Sequence, residues 1–143
     1  MRDFYLYTSR PLTAKECFDS LKNEIQNIHG SDKVDEVQIS VSGKWRSYLW
    51  FYNERLEDYI GFYETKEEFE EEKKRIPIQD PYVNFFETYR SIDAKRFITV
   101  LMRIYPELYI NVDDGTDWYG TAQEYLDTEF DYWITTSIEK KEL

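Results

Sequence analysis

The chain has 143 residues, a length that fits one domain, and 29 acidic against 18 basic residues give it a formal net charge of −11. That balance excludes a general nucleic-acid binder, which needs Lys and Arg against phosphate. The 13 Tyr, 9 Phe and 4 Trp exclude a disordered acidic tail, while one Cys and one His leave no disulfide framework, no Cys-based zinc site and no His relay.

Residues 4–9 alternate as an opening strand. Thr13-Ala14-Lys15-Glu16 has the capping-box form, and Phe18, Leu21, Ile25 and Ile28 follow at helical spacing up to Gly30. These predict a helix over 14–29. In 36–42, Val37, Ile39 and Val41 alternate with polar residues, Gly43-Lys44 signals a turn, and 45–52 is a strand with large side chains on both faces. Such a strand is central, with its second face covered by a helix or by a partner. A polar turn at 53–55 leads to a strand over 58–63. Thr65-Lys66-Glu67-Glu68 is a second capping box, opening a charged helix to Arg75 whose apolar members, Phe69 and Ile76, place it at an edge.

Pro77 and Pro81 bracket a connector to a strand over 82–89. A helix over 92–105 buries Phe97, Ile98, Leu101, Ile104 and Tyr105 and stops at Pro106; a strand over 108–112 and the turn Asp113-Asp114-Gly115 follow. Thr121-Ala122-Gln123-Glu124 is a third capping box, starting a helix to about residue 130. This order predicts a single α+β domain over 1–143: a mostly antiparallel sheet with helices packed on one face. No stretch approaches the ~20 apolar residues of a membrane span. The N-terminus is too short and polar for a signal peptide, so the expectation is a cytoplasmic protein without a membrane partner.

The charge is unevenly placed. Residues 1–103 hold 19 acids and 16 bases, whereas 104–139 hold nine acids and no Lys or Arg, interleaved with eight aromatics. A patch of one sign steers association with a partner of the other.

Catalytic patterns fail on their own chemistry. Asp113-Asp114-Gly115-Thr116 is superficially similar to a dehalogenase-type phosphatase loop, but Val112 stands where the nucleophilic Asp belongs. The spacing of Asp113, Asp114 and Asp117 does not match the twelve-residue calcium loop. Cys17 and His29, on one predicted helix, stand about 18 Å apart at ~1.5 Å per residue and cannot form a nucleophile–base pair. No metal or cofactor is expected.

The segment from Phe97 to Leu126 runs apolar helix, Tyr105-Pro106, strand Tyr109-Ile110-Asn111-Val112, acidic Gly turn, then Glu124-Tyr125-Leu126. It resembles the C-terminal part of small bacterial immunity proteins that neutralise polymorphic or contact-dependent toxins. The resemblance implies a non-catalytic protein that binds and blocks one cognate toxin. The expected partner is therefore a basic toxin, nucleases among the candidates. Asp113, Asp114 and Asp117 would pair with its cations, and Trp118 and Tyr119 would be anchors. The alternative is a small-ligand or accessory module whose pocket is lined by Tyr48, Trp50 and Tyr52. A third reading, a hydrolase using paired acids, rests only on the abundance of carboxylates.

Overall fold

Strand β1 (Arg2–Thr8) lies between two later strands, β5 (Tyr82–Thr88) and β6 (Tyr109–Asp113), and is antiparallel to both. The computed structural model describes residues 2–24, 28–30, 36–41, 45–58, 65–88, 91–113 and 118–128. The remaining strands are β2 (Ile28–Gly30), β3 (Glu36–Val41), β4 (Trp45–Arg55) and β7 (Trp118–Thr121). Together they form one seven-stranded sheet in the order β2-β3-β4-β5-β1-β6-β7, and every neighbouring pair is antiparallel. The helices are α1 (Ala14–Glu24), α2 (Lys66–Arg75), α3 (Ser91–Ile104) and α4 (Ala122–Leu126). The fold is α+β.

The alternation of β1 divides the two faces of the sheet, because successive side chains point to opposite sides. Phe4 and Leu6 face α1, α3 and α4 in the main core, with Leu49 and Phe51 of β4, Phe86 of β5, and Ile110 and Val112 of β6. Phe86 is the hub of this layer: its ring centroid is 5.2 Å from that of Phe4 and 4.5 Å from that of Phe97 on α3. Tyr7 points the other way. It joins Val83, Leu56, Phe69 and Ile76 in a second cluster, which seats α2 on the opposite face. Three helices thus share one face and the charged helix lies on the other, held by the two apolar residues that its sequence offers.

Local chemistry explains the helix starts. Thr121 and Glu124 make a complete capping box at α4, and Thr65 Oγ1 caps α2 by accepting from the Glu68 N–H. At α1, Thr13 Oγ1 accepts from the Glu16 N–H at 3.2 Å, but the Thr13 N–H donates to the Tyr105 hydroxyl at 3.1 Å. The Glu16 carboxylate accepts from Arg10 and from the Thr13 hydroxyl.

Four expectations are corrected. Helix α1 ends at Glu24, and Ile28–Gly30 is a strand, with His29 paired to Gln38, because the hydrogen-bonding edge of β3 takes a partner there. The polar stretch 53–55 is not a turn: β4 runs through it with a shift of register between Trp50 and Glu54. Residues 118–121 are a strand, and α4 ends at Leu126, capped by Asp127. Residues 56–58 form a single 3₁₀ turn, while the rest of the strand expected over 58–63, like the Gly43-Lys44 turn, lies outside the described residues. No helix among the described residues is long and apolar enough to cross a membrane.

Candidate functional site

On the α2 face, register places side chains from distant parts of the sequence in cross-strand rows. Trp50 pairs with Phe85, Phe85 with Tyr5, Tyr5 with Asn111, and Asn111 with Tyr119. One pleat further along, Tyr48 pairs with Glu87, Glu87 with Asp3, and Asp3 with Asp113. A row dominated by aromatics therefore lies beside a row of three successive carboxylates. A third row, Val83, Tyr7 and Tyr109, packs with α2.

Four rings of this face touch in succession. Tyr48 and Trp50 stack with centroids 5.4 Å apart and planes at 17°, Trp50 meets Phe85 at 5.2 Å, and Phe85 meets Tyr5 edge-on at 5.7 Å. These four rings are half-buried, whereas Phe86 and Phe4 on the other face are fully buried. Asp3 and Glu87 are also half-buried, and Asp113 is exposed.

Like charges on directly opposed strand positions repel. Accordingly, burial and then the Asp113 charge hold the Asp3 carboxyl above its ordinary range. Burial and then Asp3 do the same to Glu87. Burial, Asp113, Asp3 and Glu72 together raise the Tyr5 phenol. Among the residues whose side chains are described, no Lys or Arg pairs with these three carboxylates, the amino-terminal charge offsets part of the rise at Asp3 and Glu87, and no group of three or more His, Cys, Asp or Glu is arranged to hold a metal ion. The acids lie along a row and do not converge on one point, which suits an extended cationic surface better than a single small cation.

Glu72 of α2 frames one end. Its Oε1 accepts from the Tyr7 hydroxyl at 3.2 Å, and its Oε2 accepts from the Tyr119 hydroxyl. The Arg75 guanidinium lies 5.2 Å from the Tyr119 ring centroid.

The residues named from the sequence fall in different places. Asp113 ends the acidic row, Tyr119 ends the aromatic row, and Tyr48 and Trp50 stand together at its start. Trp118 is on the opposite face, packed edge-on against Tyr125 of the core at 5.9 Å, so it does not share a surface with Tyr119. Tyr52 is exposed at the register shift of β4. Asp114 and Asp117 lie outside the described residues.

Three other acids of the base-free segment serve the fold. Glu107 accepts from the Ser9 N–H and hydroxyl, Glu124 completes the α4 cap, and Asp127 accepts from Gln123. Sequence reasoning missed Asp3, Tyr5, Phe85 and Glu87. Period-two alternation sorts each onto a face, but only register makes them neighbours.

Comparison with protein-family models, curated proteins and solved structures finds no match for this chain. The site is therefore read from its own chemistry.

Proposed function

We propose that this chain is a non-catalytic binding domain that docks a basic protein partner on the α2 face of its sheet, acting as an immunity-type inhibitor of a toxin. The observation that carries the reading is the row Glu87, Asp3 and Asp113 beside the row Trp50, Phe85 and Tyr5. The raised proton affinity of Asp3 and Glu87 opposes folding, and such an arrangement persists where function uses it. A cationic partner relieves the repulsion on docking, while half-buried Trp and Tyr supply the contact area typical of interface anchors. The immunity role is drawn from the resemblance of residues 97–126.

The test is co-expression with whatever toxic domain a neighbouring gene encodes, scored by survival and by the salt dependence of the isolated complex. The wild-type chain is expected to protect and to bind more weakly as salt rises. Asp3→Asn/Glu87→Gln is expected to lose both, and Asp114→Asn/Asp117→Asn to lose less. Complex formation and salt dependence unchanged in the first variant would sink the reading of the site.

The small-ligand alternative is weakened by Tyr52, which is exposed at the register shift of β4 rather than enclosed. Raised carboxyl proton affinity also suits a general acid. Turnover in a broad hydrolase screen, lost in Asp3→Asn, would favour that reading instead.

A further inference from the structure

We propose that the cation accepted by this face is arginine rather than lysine: a partner guanidinium laid on the Tyr48–Trp50–Phe85 rings and hydrogen-bonded to Glu87 and Asp3. The proposal rests on the reading of the face as a docking surface for a basic protein, and it specifies the chemistry of that partner.

Two arginines of the same chain already combine an aromatic ring with an oxygen acceptor. The Arg10 guanidinium lies 4.3 Å from the Tyr105 ring centroid, and its two terminal nitrogens each reach one oxygen of Glu16 at 3.1 Å. Arg55 repeats the ring half, 4.2 Å from the Tyr82 centroid, with a hydrogen bond from one of its terminal nitrogens to the Asp80 carbonyl at 2.7 Å. Each combines an aromatic ring for a flat cation with an oxygen that accepts from its N–H groups. The α2 face holds both halves. Glu87 is the cross-strand neighbour of Tyr48 and stands two residues along β5 from Phe85, the partner of Trp50. Asp3 is opposite Glu87 and two residues from Tyr5 along β1.

Guanidinium fits this frame because it is planar, weakly hydrated and presents its N–H groups in the plane that a ring stack leaves open. It can therefore stack and form a paired hydrogen bond at once. An ammonium is a compact, strongly hydrated point charge. It gains from the carboxylates but has no plane to lay on the rings, so the acidic row alone does not separate the two cations and the aromatic row does.

The test uses two blocked peptides of equal length and charge, one alternating Thr with Arg and the other Thr with Lys, titrated into the full chain at low ionic strength by calorimetry. The Arg peptide is expected to bind roughly tenfold more tightly. Its δ-methylene protons should shift upfield by ring current, which requires seating over an aromatic face. Trp50→Leu should remove the preference and the ring-current shift while leaving residual salt-dependent binding of both peptides. Tyr48→Leu provides the same readout if Trp50→Leu fails to fold by circular dichroism. Equal binding of the two peptides overturns the arginine inference and leaves the basic-partner reading standing; no binding by either overturns both.

Discussion

The side chains of Asn53 and Asn84 are joined edge to edge. Asn84 Nδ2 donates to Asn53 Oδ1 at 2.9 Å, and Asn84 Oδ1 accepts the Asn53 backbone N–H at 2.9 Å. Asn53 also accepts from the Leu12 N–H and donates to the Leu12 carbonyl, both at 2.8 Å. This amide pair fastens the segment leading into α1 to the middle of the sheet, at the place where β4 shifts register against β5. Asn53 has a φ of 47°, in the left-handed region that Asn tolerates better than most residues.

Two substitutions separate backbone from side chain at this point. Asn53→Gly keeps the backbone conformation and loses the amide, leaving the fully buried Asn84 without its side-chain acceptor. It should destabilise the domain by about 1–3 kcal/mol in urea unfolding. Asn53→Ala should lose a further ~1 kcal/mol, since a Cβ opposes positive φ. Equal midpoints for the two variants would show that the left-handed backbone contributes nothing.

The same position shows what sequence reasoning can and cannot reach. Asn53-Glu54-Arg55 has turn chemistry, and left-handed Asn is a turn residue, but here the special backbone serves a bulge in a continuing strand. What distinguishes the two is Asn84, thirty-one residues away, and no local pattern announces it. The strong local signals held: the capping Thr at each of 13, 65 and 121, the periodicity of α3, the alternation of β1, and the presence of a strand at β3. The candidate site failed to appear for the reason that hid the bulge. Asp113 stood out in its base-free segment, but Asp3 and Glu87 sit in the nearly balanced first 103 residues and become its neighbours only through antiparallel register.

That acidic row should depress stability at neutral pH. A carboxyl whose proton affinity is raised by folding opposes the folded state fully above its folded pKa. The opposition fades as pH falls toward the ordinary values of 3.8 for Asp3 and 4.5 for Glu87, below which both states are protonated. Asp3→Asn and Glu87→Gln are therefore expected to raise the melting temperature at pH 7 and to lose that advantage on acidification. Glu16 and Asp19, held below their ordinary range by hydrogen bonds to Arg10 and Lys22, work in the opposite direction in every variant. The difference between variant and wild type isolates the row. A lower melting temperature for both variants at pH 7 would contradict it.

Cys17 should be inert in the native protein. Its side chain is fully buried in the main core, and burial pushes the thiol pKa up to about 12. Reaction requires thiolate and access, and the fold denies both. A thiol reagent at mildly alkaline pH should modify the chain only after urea is added. Modification of native protein at the rate of free cysteine would place the thiol outside the core.

The attachment of α2 rests on Glu72 as well as on Phe69. Glu72→Ala removes the acceptor of the Tyr7 and Tyr119 hydroxyls and should loosen α2 by about 1–2 kcal/mol, seen as faster amide exchange confined to 66–75. Glu72→Gln retains an acceptor and should show a smaller effect. Faster exchange spread equally over β1 and β5 would mean that Glu72 supports the whole sheet.

Gly120 and Trp118 occupy the same side of β7, two residues apart. A Cβ built on Gly120 runs into the indole of Trp118, reaching its Cζ2 at 2.7 Å. The ring is therefore folded down over the glycine, where it meets Tyr125 on the core side. Gly120→Ala should displace the indole and lower stability by about 1–3 kcal/mol, the usual range for overpacking. The decisive measurement is the double variant. If the clash is the cause, Trp118→Leu removes the obstructing ring, and Gly120→Ala should then have little effect on stability. The two effects would be non-additive, as expected for residues in direct contact. Additive losses would assign the requirement for glycine to the backbone of β7 opposite Ile110, with the indole a bystander.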